Sequence, residues 1–138
     1  MPNAENAVAD DPVDRIGYVA ARVALAAIFL FTGFNKLVDI EGAAADIVEV
    51  GLPFPALLAV IAGLVELACG VLLALGKRTL LAGLGLMLFL LTVTLLMENP
   101  LRAGADVGVL IDFLKNLAIV GGLLMVVLRE YQVRMRGA

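Results

Sequence analysis

Residues 53–75, PFPALLAVIAGLVELACGVLLAL, decide the fold. Two prolines open the stretch, the Gly76-Lys77-Arg78 turn signal closes it, and Glu66 is its one charged residue. At ~1.5 Å per residue, a helix of about 20 residues crosses the ~30 Å hydrocarbon core of a bilayer. The stretch is long enough, and apolar enough on every face, to read as a membrane-spanning helix rather than an amphipathic helix of a soluble domain.

Working outward, three more runs share this character. Residues 16–37 hold Arg22 in their body and Lys36 at their end; residues 79–97 hold no charge; residues 107–128 hold Asp112 and Lys115. Gly51, Asn99-Pro100 and Gly104 punctuate the intervals. An open strand would leave backbone groups unpaired in lipid, and continuous rather than alternating apolarity argues against a barrel. The expected fold is all-α, a polytopic membrane protein with an antiparallel bundle of four transmembrane helices. Between the first two spans, residues 38–52 place Ile40, Ala44, Ile47 and Val48 on one helical face, with Asp39, Asp46 and Glu49 turned away from it. That pattern predicts a short interfacial helix.

The domain plan is a disordered, acidic N-terminus over 1–14, a transmembrane domain over 15–129 and a C-terminal tail over 130–138. The acidic start (Glu5, Asp10, Asp11, Asp14) and the long first run are unlike a signal peptide. Arg15, Lys77, Arg78, Arg129, Arg134 and Arg136 fall on one side of the membrane, against Lys36 and Arg102 on the other. The positive-inside rule then puts both termini in the cytoplasm.

Composition excludes much else. The chain of 138 residues is 62% hydrophobic and 17% charged, where a soluble domain has roughly 45–50% and about 25%. There is no histidine and one cysteine, Cys69. These counts exclude CxxC redox pairs, disulfide scaffolds, His/Cys zinc sites, bis-histidine haem and Ser-His-Asp hydrolysis, and no metal site is expected. A net charge of −3 leaves no basic footprint for nucleic acid.

The ionisable residues inside the spans are the candidates for function, because each costs at least ~2.5–3.5 kcal/mol at mid-bilayer unless it has a partner or a wet cavity. Counting from the span ends puts Arg22 and Glu66 at the same depth, which predicts an Arg22–Glu66 ion pair. Nearer the opposite surface, Asp112, Lys115 and Asn116 gather early in the fourth span, close to Lys36 at the end of the first. Asp112 is expected to pair with Lys36, and Lys115 to reach inward toward Glu66. Thr92 and Thr94 supply hydroxyls at that level. Arg22, Phe29, Gly33 and Lys36 share one helical face. Small residues around Glu66, including Ala62, Gly63 and Gly70, let a neighbouring helix approach closely.

The string Arg22-x6-Phe29-x3-Gly33-x2-Lys36-Leu37 resembles the first-helix signature of the DoxX family. Gly51-Leu52-Pro53, Glu66-x3-Gly70 and Gly76-x-Arg78 continue the resemblance. It implies a four-helix protein of the bacterial inner membrane, with Gly33, Gly70 and Arg78 as motif positions beside Arg22, Lys36 and Glu66. Some relatives are associated with quinone-linked oxidation and with redox partner proteins, but the family carries no settled reaction.

Two expectations follow. The first is a redox-associated membrane subunit that binds a quinone headgroup through Lys36, Lys115, Asn116 and Thr92, or docks a partner oxidoreductase. No flavin, haem or metal motif is present, so electrons would come from that partner and the chain would not be a complete oxidoreductase alone. No catalytic residue can be assigned, and no covalent cofactor is expected. The second is a small transporter or proton path, which a homo-oligomer would enlarge, or a scaffold whose charges only lock the bundle. The lipid bilayer is the partner common to all of these.

Overall fold

The computed structural model describes residues 11–102, 104 and 106–138. These form five helices: α1 Pro12–Val38, α2 Ile40–Glu49, α3 Pro55–Leu75, α4 Thr79–Met97 and α5 Val107–Gly137. Local chemistry sets each boundary. The Asp11 carboxylate accepts from the Val13 N–H and Pro12 begins α1, a capped start with a residue that needs no N–H there. Asp39 serves two helices. Its N–H donates to the Asn35 carbonyl to end α1, and its carboxylate accepts from the Gly42 N–H to start α2. Pro55 opens α3, and Gly76 closes it at φ 71°, with the Lys77 N–H returning to the Leu72 carbonyl. Asp106 caps α5 by accepting from the Val109 N–H.

α1, α3, α4 and α5 are long and apolar enough to cross a membrane, and α2 is the short helix expected between the first two spans. The four long helices surround a core of Ala26, Phe29, Leu73, Leu86, Leu90 and Leu123. Only 17–28% of each span is buried. The large apolar side chains outside that core, such as Phe31 and Leu88, therefore face outward, the reverse of a soluble bundle and the arrangement lipid stabilises.

α1 packs most tightly on α3, α3 on α4, and α4 on α5, while the α1–α5 seam is slighter. Glycines set the α1–α3 spacing. A Cβ at Gly33 would fall 2.9 Å from both Glu66 Cβ and the Gly63 carbonyl oxygen, and one at Gly70 would fall 3.1 Å from Leu30 Cδ2. Backbones this close gain dispersion contacts that lipid tails cannot supply.

The bundle has two ends. One carries α2 and the α4–α5 loop; the other carries the N-terminal end of α1, the C-terminal end of α5 and the Gly76–Arg78 hairpin. Two expectations about helix ends change here. α1 begins at Pro12 rather than residue 16, so residues 12–14 are helical rather than disordered, and α5 continues through Gly137 beyond the apolar run. Hydropathy marks where lipid ends, whereas these helices continue through polar residues that α1 and α5 pair with each other. Residues 1–10 of the expected disordered segment lie outside the described residues.

Candidate functional site

Glu66 lies half-way along α3, eleven residues after Pro55, or about 16 Å by helical rise. Its partner is Lys36. The ammonium donates to both carboxylate oxygens, at 3.2 Å to Oε1 and 3.0 Å to Oε2. The cause is the glycine contact. Gly33 sits level with Glu66, and Lys36 is one turn further along the same face of α1. Helical side chains lean toward the N-terminus, so the Lys36 stem runs back down that face and delivers its ammonium to Glu66. The Glu66 side chain is 6% exposed and that of Lys36 is 30% exposed, so the acid is buried behind the base.

The expected Arg22–Glu66 pair does not form. The Arg22 guanidinium lies against Gly76, at the very end of α3, roughly ten residues or 15 Å from Glu66 along that helix. Counting depth from residue 16 assumes that the first span enters the membrane there. Because α1 continues well past the hairpin, Arg22 falls level with the hairpin instead.

The other expected pairings are also redistributed. Lys115 turns to Asp112 on its own helix, at 2.7 Å, with both side chains about half exposed. Neither reaches Lys36 or Glu66, because a partner three residues away is available without crossing the bundle. Asn116 is buried, and its amide donates to Thr94 Oγ1 at 3.2 Å and to a Glu98 carboxylate oxygen, tying α5 to the end of α4. Thr92 donates to the Leu88 carbonyl of its own helix. Glu98, absent from the sequence reading, was signalled by an acid directly after an apolar run on the Lys36 side. Its carboxyl is held above the ordinary carboxylate range, first by burial and then by the neighbouring Asp112 charge, with Lys115 and Lys36 pulling the other way.

Lys36, Thr92 and Glu98 border a cavity of about 760 Å³ at the α2 end, formed by α1, α2, α3 and α4. Lys36, Thr32 and Thr92 give it hydrogen-bonding groups, Asp39, Asp46 and Glu98 give it an acidic side, and Ile61, Val65, Phe89 and Leu96 make it mainly apolar. Lys115, Asp112 and Asn116 are not on its wall. Ile61 and Leu96 line the cavity and are themselves exposed, so it is open rather than enclosed. Of the three donors on the Lys36 ammonium, Glu66 takes two, which leaves one for a ligand in the cavity.

At the other end, Arg129 of α5 holds Asp14 of α1 through both guanidinium nitrogens, at 3.2 and 2.7 Å. It also lies 4.2 Å from the centre of the Tyr18 ring, and the Tyr18 hydroxyl donates to Glu130 at 2.5 Å. By sequence alone Arg129 reads only as a topology signal.

Residues 17–99, which cover most of α1 and all of α2, α3 and α4, match the model of the DoxX family. The chain belongs to the DoxX family. A curated relative, the inner membrane protein YphA of Escherichia coli (strain K12), is 34% identical over 107 residues, covering 76% of each chain. No solved structure matches. This DoxX protein is accordingly a multi-pass protein of the inner membrane. Gly33 and Gly70, expected as motif positions, are points where α1 and α3 touch, and Arg78, expected as a third, is exposed at the start of α4 with φ 49°.

Proposed function

We propose that this DoxX protein is a redox-associated membrane subunit whose cavity receives the headgroup of a membrane quinone, with electrons supplied by a partner oxidoreductase. The observation that carries this reading is the position of Lys36 on the cavity wall, anchored from behind by Glu66. The cavity falls within the ~300–1,000 Å³ usual for small-molecule sites and joins an apolar lining to a few placed polar groups. A quinone carbonyl would accept the remaining Lys36 N–H, and the Thr32 and Thr92 hydroxyls, each donating to a carbonyl of its own helix, also line the cavity. An open cavity with an exposed apolar lining suits a ligand with an isoprenoid tail. Asp39, Asp46 and Glu98 disfavour an anionic ligand. Bound there, a quinone would supply the electron acceptor; the chain's own residues bind and orient it.

Binding of a short-chain ubiquinone analogue to the purified protein in nanodiscs tests the reading. Lys36→Met is expected to weaken binding on the order of tenfold, the value of one charge-assisted hydrogen bond. Equal uptake by wild type and Lys36→Met overturns it. The acidic side of the cavity favours a second reading, passage of protons or small cations, for which Glu66→Gln would abolish pH-dependent flux in liposomes.

A further inference from the structure

Among the described residues, two buried side-chain polar atoms have no hydrogen-bond partner, Arg22 Nε and Thr79 Oγ1. Both flank the Gly76–Arg78 hairpin. Arg22 comes from α1, and a Cβ at Gly76 would fall 2.6, 2.7 and 2.8 Å from its Nη1, Nη2 and Cζ. The near-equal distances mean that the guanidinium faces Gly76 broadside, in space that only a glycine leaves open. Thr79 is the first residue of α4 and 2% exposed.

The start of α4 is also uncapped. Arg78 occupies the cap position with φ 49° and offers no side-chain acceptor to the N–H groups that follow. The earliest backbone bond there is from the Ala82 N–H to the Arg78 carbonyl, so the N–H groups of Thr79, Leu80 and Leu81 precede the helical ladder. A helix start of this kind carries partial positive charge and attracts oxyanions. Lys77 and Arg78 add two exposed cations. At the same end of the bundle, Asp14 and Glu130 are already engaged by Arg129 and Tyr18.

We infer that the hairpin end of the bundle is a binding site for a phosphate oxyanion, formed by Arg22, the Thr79 hydroxyl and the first N–H groups of α4. The phosphate is that of an anionic phospholipid. The hairpin joins two spanning helices and so lies at the height of lipid headgroups. A groove of about 350 Å³ lies between α1 and α5, lined by Tyr18, Leu25, Gly122, Met125 and Val126, with Arg129 as its charged residue. Tyr18 and Leu25 sit one helical turn either side of Arg22, which places an acyl chain in the groove when the phosphate is at the hairpin. The site is independent of the cavity at the α2 end.

Native mass spectrometry of the full chain in detergent, titrated with phosphatidylglycerol, tests this, with inorganic phosphate and thermal unfolding as a second arm. Wild type is expected to retain phosphatidylglycerol and to be stabilised by it. Arg22→Gln and Thr79→Val should each bind about tenfold more weakly, while Thr79→Ser, which keeps the hydroxyl, should bind as wild type. The double variant Arg134→Gln/Arg136→Gln removes more charge at the same end but should bind normally. Should Arg22→Gln fail to fold, the Thr79→Val and Thr79→Ser pair still decides the question. Stabilisation by inorganic phosphate alone, lost in Thr79→Val, would retain the oxyanion site and overturn the lipid as its source. Equal binding by wild type and Thr79→Val, or equal weakening in the Arg134/Arg136 double variant, would overturn the site itself.

Discussion

The two ends of the bundle join α1 to its neighbours with the same chemistry at different depth. At the α2 end, Lys36 meets Glu66 half-way along a spanning helix, with the acid 6% exposed. At the terminal end, Asp14 meets Arg129 with side chains 38% and 31% exposed, on helices that continue past the hairpin. Water relieves either partner of the second pair when the other is lost. Glu66 has no such relief, so its pair fixes which faces of α1 and α3 meet, whereas the terminal pair mainly holds two helix extensions together.

The largest predicted effect comes from breaking this comparison at its deep side. Lys36→Met leaves Glu66 buried and uncompensated and should destabilise the protein by about 3 kcal/mol. Glu66→Gln should be milder, because the Lys36 stem is long and partly exposed and its ammonium can turn toward the polar end. The double variant Lys36→Met/Glu66→Leu should recover most of the loss, since an apolar pair has no charge to strand. Thermal unfolding in detergent measures all three. Equal losses for the two single variants would show that Glu66 is not the buried member.

The spans were legible because lipid imposes a simple rule on sequence. Residues 79–97 coincide with α4, and residues 53–75 differ from α3 only by the turn before Pro55. The partner of Glu66 was not legible from depth arithmetic, which needs to know where each helix enters the membrane. α1 starts well outside that entry point, an error that moved Arg22 inward by several turns. The better signal was already in the sequence, namely Gly33 and Gly63. Small residues on two helices are the points where they touch, and setting Gly33 against the turn from Gly63 to Glu66 puts Lys36, not Arg22, one turn from Glu66. The cavity was illegible for a different reason. Its wall draws on four helices, and a void is a property of how they fail to fill space together.

A smaller effect separates the two ends by pH. The raised Glu98 carboxyl belongs to the α2 end, where it receives the Asn116 amide. Because the folded state holds this proton more tightly than the unfolded chain, the associated stability is present below the ordinary glutamate range. It is lost as pH rises through the folded value. The unfolding midpoint should therefore fall from about pH 4 upward, and Glu98→Gln should flatten that slope. A slope unchanged in Glu98→Gln would assign it to another group.

At the shallow side, Asp14→Asn should cost about 1 kcal/mol or less, near the upper end for an exposed pair because Arg129 engages both carboxylate oxygens and also rests on Tyr18. Asp112→Asn should cost still less, ~0.3–0.5 kcal/mol at most, since Lys115 is a neighbour on the same helix and both are half exposed. Salt discriminates the three pairs more sharply than stability does. Raising ionic strength should erase the Asp112 effect first, then most of the Asp14 effect, and leave the Lys36→Met loss nearly unchanged, because mobile ions screen exposed charges and do not enter the bundle at Glu66. If the Lys36→Met loss fell with salt in parallel with the Asp14→Asn loss, water and ions would be reaching Glu66. The two ends would then differ in geometry alone and not in dielectric.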